Sequence, residues 1–263
     1  MRRFTTIATI VAVLALALPA GAADGETPVH LGLGDSVAFG IGIERPSQHG
    51  YTAQVSRYLQ GVDCRERNAA GCPHLELVNL AVPGATSSSL ITNQLPGAVQ
   101  LLTERNGDAN PGNDVAFITI TIGGNDLFQP VVGACSNGVT PECVEVITNG
   151  LSSYAFNLGQ ILGTLRAVAG PDTRIVIMTY YNPLGSCFLA DIAPLANNVL
   201  EGGGGLPFGI NDIIRGTAAA TGAEVAETFG VLDGDDFVGG TDCLHPDKSG
   251  YHKIAKAFMS TIR

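Results

Sequence analysis

Three short stretches of this chain carry side chains that can do chemistry. The first is Gly34-Asp35-Ser36, inside the run LGLGDSVAFG at 31–40. It reads as a buried strand, a tight turn and a small-residue loop. A serine at the carboxyl end of a core strand, with glycine before it, presents its hydroxyl and its backbone N–H to the crevice above the sheet. Gly-Asp-Ser is also an ordinary turn sequence. It becomes a nucleophile candidate because of the second stretch, Asp242-Cys243-Leu244-His245, where an acid and an imidazole stand three residues apart. Serine is unreactive at neutral pH unless an imidazole takes its proton, and the imidazole needs a carboxylate to fix its tautomer and support its positive charge. The third stretch is Gly123-Gly124-Asn125-Asp126. Its asparagine offers amide N–H groups that can donate to a developing alkoxide without bearing charge. Asp35 and Asp126 are expected to bond loop backbone rather than react. His30, His49, His74 and His252 have no nearby acid partner in sequence and read as structural or surface residues.

The elements that must position these residues can be read from periodicity. Strands are expected at 29–34, 75–82, 115–122, 174–180 and 223–229, the third being β-branched and nearly continuous, as in a central parallel sheet. Helical spacing marks 51–60, 144–169, 208–220 and 247–262. Thr86 and Ser87 read as caps of a further helical stretch broken at Pro96. Residues 182–209 are less legible, and EGGGGLPFG within them reads as a flexible loop near a substrate entrance. Strand and helix alternate without a linker or an internal repeat, which predicts one three-layer α/β/α domain on a roughly five-stranded parallel sheet. Ser36 then follows the first strand, Gly84 the second, Asn125 the third, and Asp242 with His245 the fifth. All are carboxyl ends, where an open parallel sheet forms its ligand crevice.

Composition narrows the setting. Residues 1–23 run from two arginines through an apolar core to Ala20-Gly21-Ala22, a secretory signal peptide expected to be cleaved near Ala22 or Ala23. Residues 24–263 are then expected to form a single domain, enough for one well-buried core. As a membrane anchor the leader is short and lacks stop-transfer charges, and no other segment is apolar enough to span a bilayer. Removing Arg2 and Arg3 leaves 12 of the 14 basic residues against 24 acidic ones, a net charge of −12. That balance opposes nucleic acid and anionic membrane surfaces.

Six cysteines, at 64, 72, 135, 143, 187 and 243, are an even set in an exported chain, so disulfides are expected. The repeated eight-residue separation suggests Cys64–Cys72 and Cys135–Cys143 as local clips and leaves Cys187 to reach Cys243. That last bridge would tie the segment carrying Asp242 and His245 to the loop after an earlier strand. Cys64, Cys72 and His74 do not make a zinc site, since C-x-x-C and H-E-x-x-H spacings are missing.

Taken together, GDS at 34–36, a glycine at 84, GGND at 123–126 and DCLH at 242–245 resemble, in order, the four signature blocks of the SGNH (GDSL-type) hydrolases. The resemblance implies a flavodoxin-like SGNH fold, Ser36 as nucleophile, His245 as base and Asp242 as its partner. It also implies an oxyanion hole from the Ser36 and Gly84 N–H groups and the Asn125 side chain. The first block reads GDSV rather than GDSL, and Ala38 stands where many members have serine; neither position carries a proton or a charge. The unrelated hydrolase fold built on a G-x-S-x-G elbow is excluded, because no serine here has glycine two residues before and two after it.

The leading expectation is a secreted serine esterase or lipase, a monomer acting on a small-molecule or lipid ester without cofactor or metal. Export and the even cysteine set resemble the secreted, disulfide-bonded actinobacterial lipases of the family. A carbohydrate acetylesterase would use the same residues on a small acyl group, and a secreted binding module without turnover is the reading from another class.

Overall fold

The computed structural model describes residues 27–67, 75–136 and 138–262. The expected leader at 1–23, Cys72 and His74 lie outside the described residues, and the expected Cys64–Cys72 pairing therefore does too. Five strands form one parallel sheet: β1 (Val29–Gly34), β2 (Glu76–Asn79), β3 (Val115–Thr121), β4 (Arg174–Met178) and β5 (Glu224–Ala226), in the order β2-β1-β3-β4-β5. This is the flavodoxin-like order, in which the crevice opens beside β1, where the strand order reverses. β3 is central because its Val-Ala-Phe-Ile-Thr-Ile-Thr run buries side chains on both faces. Phe117 joins the cluster of Tyr51, Val176 and Phe258, while Ile118 and Ile120 join that of Leu31, Leu158 and Ile177.

Helices cover both faces. One carries α1 (Ser36–Phe39), α2 (Pro46–His49), α3 (Tyr51–Arg67) and, from the chain end, α10 (Lys248–Thr261). There the Tyr51 and Phe258 rings stack at 4.7 Å. The other carries α4 (Ser87–Asn93), α5 (Leu95–Asn106), α6 (Gly124–Ala134), α7 (Pro141–Ala169), α8 (Ala193–Glu201) and α9 (Ile210–Thr221). The helical stretch after Thr86 is broken as expected: α4 ends at Asn93 and α5 starts at Leu95, with Pro96 in the first turn of α5, where its missing N–H costs nothing. β2 and β5 are shorter than expected, although past β2 the Leu80 and Val82 N–H groups still donate to the Gly32 and Gly34 carbonyls at 2.8 and 3.0 Å.

Two further departures concern the site. Asp242 to His245 do not lie on a plain loop after β5. They form most of β7 (Asp242–Pro246), which pairs antiparallel with β6 (Phe237–Gly239) in a separate two-stranded ribbon. The glycine run does not form an open entrance loop either: Gly203 and Leu206 exchange backbone hydrogen bonds of 2.9 and 3.0 Å, closing it into a tight turn.

Candidate active site

The turn after β1 holds Ser36 by its neighbours. Gly34 has φ 133°, and a Cβ there would come within 2.0 Å of the Thr121 carbonyl oxygen, so only glycine passes this close to β3. Its N–H donates to Gln94 Oε1 at 2.9 Å, and its carbonyl accepts from Gln94 Nε2 at 2.8 Å. Asp35 accepts from the Val37 N–H at 2.9 Å and from the Tyr180 hydroxyl at 2.5 Å. Asp35 is 2% exposed. Burial pushes its carboxyl up to about 6, against the opposing pull of the Tyr180 hydroxyl, the Val37 and Ala38 N–H groups and His245. The expectation that Asp35 bonds backbone was therefore half the picture, because its second oxygen is committed to a tyrosine. Tyr180 also receives the Gly124 N–H, so it bridges the serine turn and the start of α6. Nothing local in the sequence marks Tyr180 or Gln94, since each meets its partner across the fold.

The third stretch is bonded to the segment after β2 that carries Gly84. Asn125 donates through Nδ2 to the Ala85 carbonyl at 2.9 Å, leaving its other amide hydrogen available. Asp126 accepts from the Ser87 N–H at 2.9 Å and from the Ser87 hydroxyl, and Asn157 donates to that hydroxyl at 2.9 Å. Burial raises the Asp126 carboxyl above its ordinary value although the Ser87 bonds oppose it. Gly84 has φ 79°, a left-handed conformation that glycine adopts without strain.

On the ribbon, His245 Nδ1 lies 2.8 Å from Asp242 Oδ2 and 3.0 Å from Oδ1. Oδ1 also accepts the Leu244 and His245 N–H groups at 3.0 and 3.1 Å. Partial burial pushes the Asp242 carboxyl up, but these N–H groups and the imidazole together outweigh it and hold the carboxyl below its ordinary value. A charged carboxylate there favours the tautomer with the proton on Nδ1, which leaves Nε2 free to accept a proton. Cys243 is bonded to Cys187, and Cys135 to Cys143, both as the spacing suggested. The Tyr181 hydroxyl donates to the Leu244 carbonyl at 3.2 Å.

Ser36, Gly84, Asn125 and His245 all line one cavity of about 400 Å³, while Asp242 stands behind His245 and off the wall. Among the described residues the His245 ring bonds only Asp242, so Ser36 and His245 share the cavity without a direct hydrogen bond. Beyond this polar end the walls come from two helices that the sequence reading missed. α6 turns Leu127, Phe128, Val131 and Val132 inward. α8 does the same with Leu195, Ala196, Val199 and Leu200. Both stripes have the i, i+1, i+4, i+5 spacing of a single helical face. α6 packs outward on α7 and α8 on α9, which leaves the two stripes facing the cavity. Among the described residues no group of three His, Cys, Asp or Glu side chains gathers as a metal site.

No curated protein matches the sequence closely enough to count as a relative. Among solved structures, a lipase from a goat rumen metagenome superposes with a TM-score of 0.61 at 20% identity, covering 89% of this chain and 97% of its own. An acetylxylan esterase from Geobacillus stearothermophilus gives 0.54 at 17% identity, over 90% of this chain and 95% of its own. At these identities the likeness establishes the shared fold. The GDSL-like lipase/acylhydrolase family model matches residues 33–253, from the serine turn through the DCLH ribbon and into α10. The chain therefore belongs to the GDSL-like lipase/acylhydrolase family and is a carboxylic ester hydrolase.

Proposed function

We propose that the protein is an exported serine esterase of the lipase type, with Ser36 as nucleophile, His245 as general base and Asp242 as its orienting carboxylate. The observation that carries this reading is the meeting of Ser36, Gly84, Asn125 and His245 in one cavity, with His245 backed by Asp242 at 2.8 Å. Ser36 Oγ attacks the ester carbonyl carbon while His245 Nε2 takes its proton. The bond to the alcohol oxygen then breaks, and the proton passes from Nε2 to that oxygen. Water repeats the sequence on the acyl-enzyme: its proton goes to Nε2, its oxygen to the carbonyl carbon, and Ser36 recovers its hydrogen as the acid leaves.

The carbonyl oxygen becomes an oxyanion twice in this cycle. The Ser36 N–H opens α1 and so has no acceptor within the helix. The Gly84 N–H and the second amide hydrogen of Asn125 complete three donors; losing one such donor typically costs about 3 to 4 kcal/mol in the transition state. A direct Ser36–His245 bond is not required before substrate binds, because catalytic contacts tighten in the complex with substrate.

Hydrolysis of p-nitrophenyl butyrate by the Ser36→Ala variant tests the assignment. A loss of at least about 10³-fold in kcat is expected, and a variant within tenfold of the parent would show that the nucleophile lies elsewhere. Export is supported by the leader sequence and by the two disulfides, which persist in oxidising compartments. N-terminal sequencing of the mature protein should begin just after Ala22 or Ala23; a chain retaining Met1 would contradict it.

A further inference from the structure

Resting on Ser36 as nucleophile, we propose that the groove between α6 and α8 holds the acyl half of the ester as an unbranched fatty chain, and that acetylated glycans are poor substrates. The polar groups of the cavity are gathered at one end. There Ser36, Asn125 and His245 face the reacting carbonyl, whereas the polar side chains beside them are already committed: the Tyr180 hydroxyl to Asp35 and the Tyr181 hydroxyl to the Leu244 carbonyl. Past that end the two helical stripes supply hydrocarbon alone. A sugar ring placed there would bury hydroxyls without partners, at about 1 to 3 kcal/mol each. A methylene placed there leaves water for a surface of its own kind, which raises kcat/KM by up to about fourfold per group.

The form of the groove agrees with a chain rather than a ring. Its two walls are single faces of helices that lean on α7 and α9 rather than on each other. Two apolar stripes with space between them match an extended alkyl chain along their length. The half of the ester that occupies this space must be the one that stays. The alcohol has to leave and be replaced by water during turnover, while the acyl group remains on Ser36 until the second step.

The test is kcat/KM for p-nitrophenyl acetate, butyrate, octanoate and decanoate below their micelle concentrations, with acetylated xylooligosaccharide alongside. The value should rise at least about tenfold from acetate to decanoate. Two variants narrow the groove from opposite walls, Ala196→Trp on α8 and Val132→Trp on α6. Each residue is only half buried, so a larger side chain can be accommodated at the wall. Each variant should lower the decanoate-to-acetate ratio at least tenfold, and two independent sites guard against one variant failing to fold.

A parent enzyme that prefers acetate or the xylooligosaccharide overturns the proposal. So does a ratio that neither variant moves, or a profile flat in acyl length and steep in alcohol length across alkyl acetates. Ser36→Ala separates this from failure of the catalytic assignment. If that variant keeps its activity while the ratio still responds to Ala196→Trp, the nucleophile is wrong and the groove stands. If Ser36→Ala is dead and the ratio is flat, the groove is wrong and the nucleophile stands.

Discussion

Ser36 and Asn125 stand in the first turns of the helices that follow β1 and β3 of the main sheet, whereas His245 stands on a two-stranded ribbon beside it. In the first region the backbone itself is held. Gly34 is clamped on both its N–H and its carbonyl by Gln94, the Asp35 N–H donates to the Thr121 carbonyl at 3.0 Å, and Tyr180 links Asp35 to the start of α6. In the second, a ribbon of three and five residues has little of its own to hold it, since a two-stranded ribbon is marginal in water. It is fixed from outside, by Cys187–Cys243 and by the Tyr181 hydroxyl. In the proposed mechanism the nucleophile and the oxyanion donors must be in place before charge develops, and the core would supply that. The proposed base, His245, would be positioned by a covalent strap.

Breaking the strap is the larger test of this contrast. In a Cys187→Ser/Cys243→Ser double variant the sheet-bonded turns keep their partners, while the ribbon loses its covalent tie. Misplacing a catalytic group by about 1 Å can cost about 10²-fold, so kcat on p-nitrophenyl acetate is expected to fall about ten- to a hundredfold. Closing a loop across 56 residues contributes at most about 4 kcal/mol to stability, so kcat is read well below the unfolding midpoint of the variant, where the chain is folded. An unchanged kcat there would mean that the ribbon holds His245 without the disulfide, and the contrast between the two regions would disappear.

The same contrast explains what could be read from the sequence. Ser36, Asn125, Asp242 and His245 were legible because few residue types can do their chemistry, and because β-branched runs such as 115–122 announce the strands before them. The order of the blocks then places them at one end of a parallel sheet. α6 was hidden because Gly123-Gly124-Asn125-Asp126 looks like a turn and Pro130 sits inside the helix. α8 was hidden among prolines and short turns. The recurrence of 127, 128, 131, 132 and of 195, 196, 199, 200 is the signal that could have found both. The clamp by Gln94 and the bridge by Tyr180 have no such signal. Gln94 lies 60 residues from Gly34, and Tyr180 lies 145 from Asp35. Only the topology brings them together.

The smaller test probes what the sheet-bonded turn gives up for its rigidity. Asp35 titrates at about 6 in the folded chain against an ordinary 3.8, chiefly because burial disfavours its charge. Between those pH values the folded state keeps a proton that the unfolded chain has released. Stability from this group is therefore fully present below about pH 4 and is lost as the pH rises through about 6, a change on the order of 3 kcal/mol. Asp35→Asn keeps the shape and removes the titration. The melting temperature of the variant minus that of the parent should therefore climb by several degrees between about pH 4.5 and pH 8, whatever its sign at the acid end. Titrating groups that do not interact with Asp35 are common to both proteins and cancel in the difference. Calorimetry giving a constant difference across that range would mean that Asp35 carries its charge without cost. The serine turn would then be no more strained electrostatically than the ribbon.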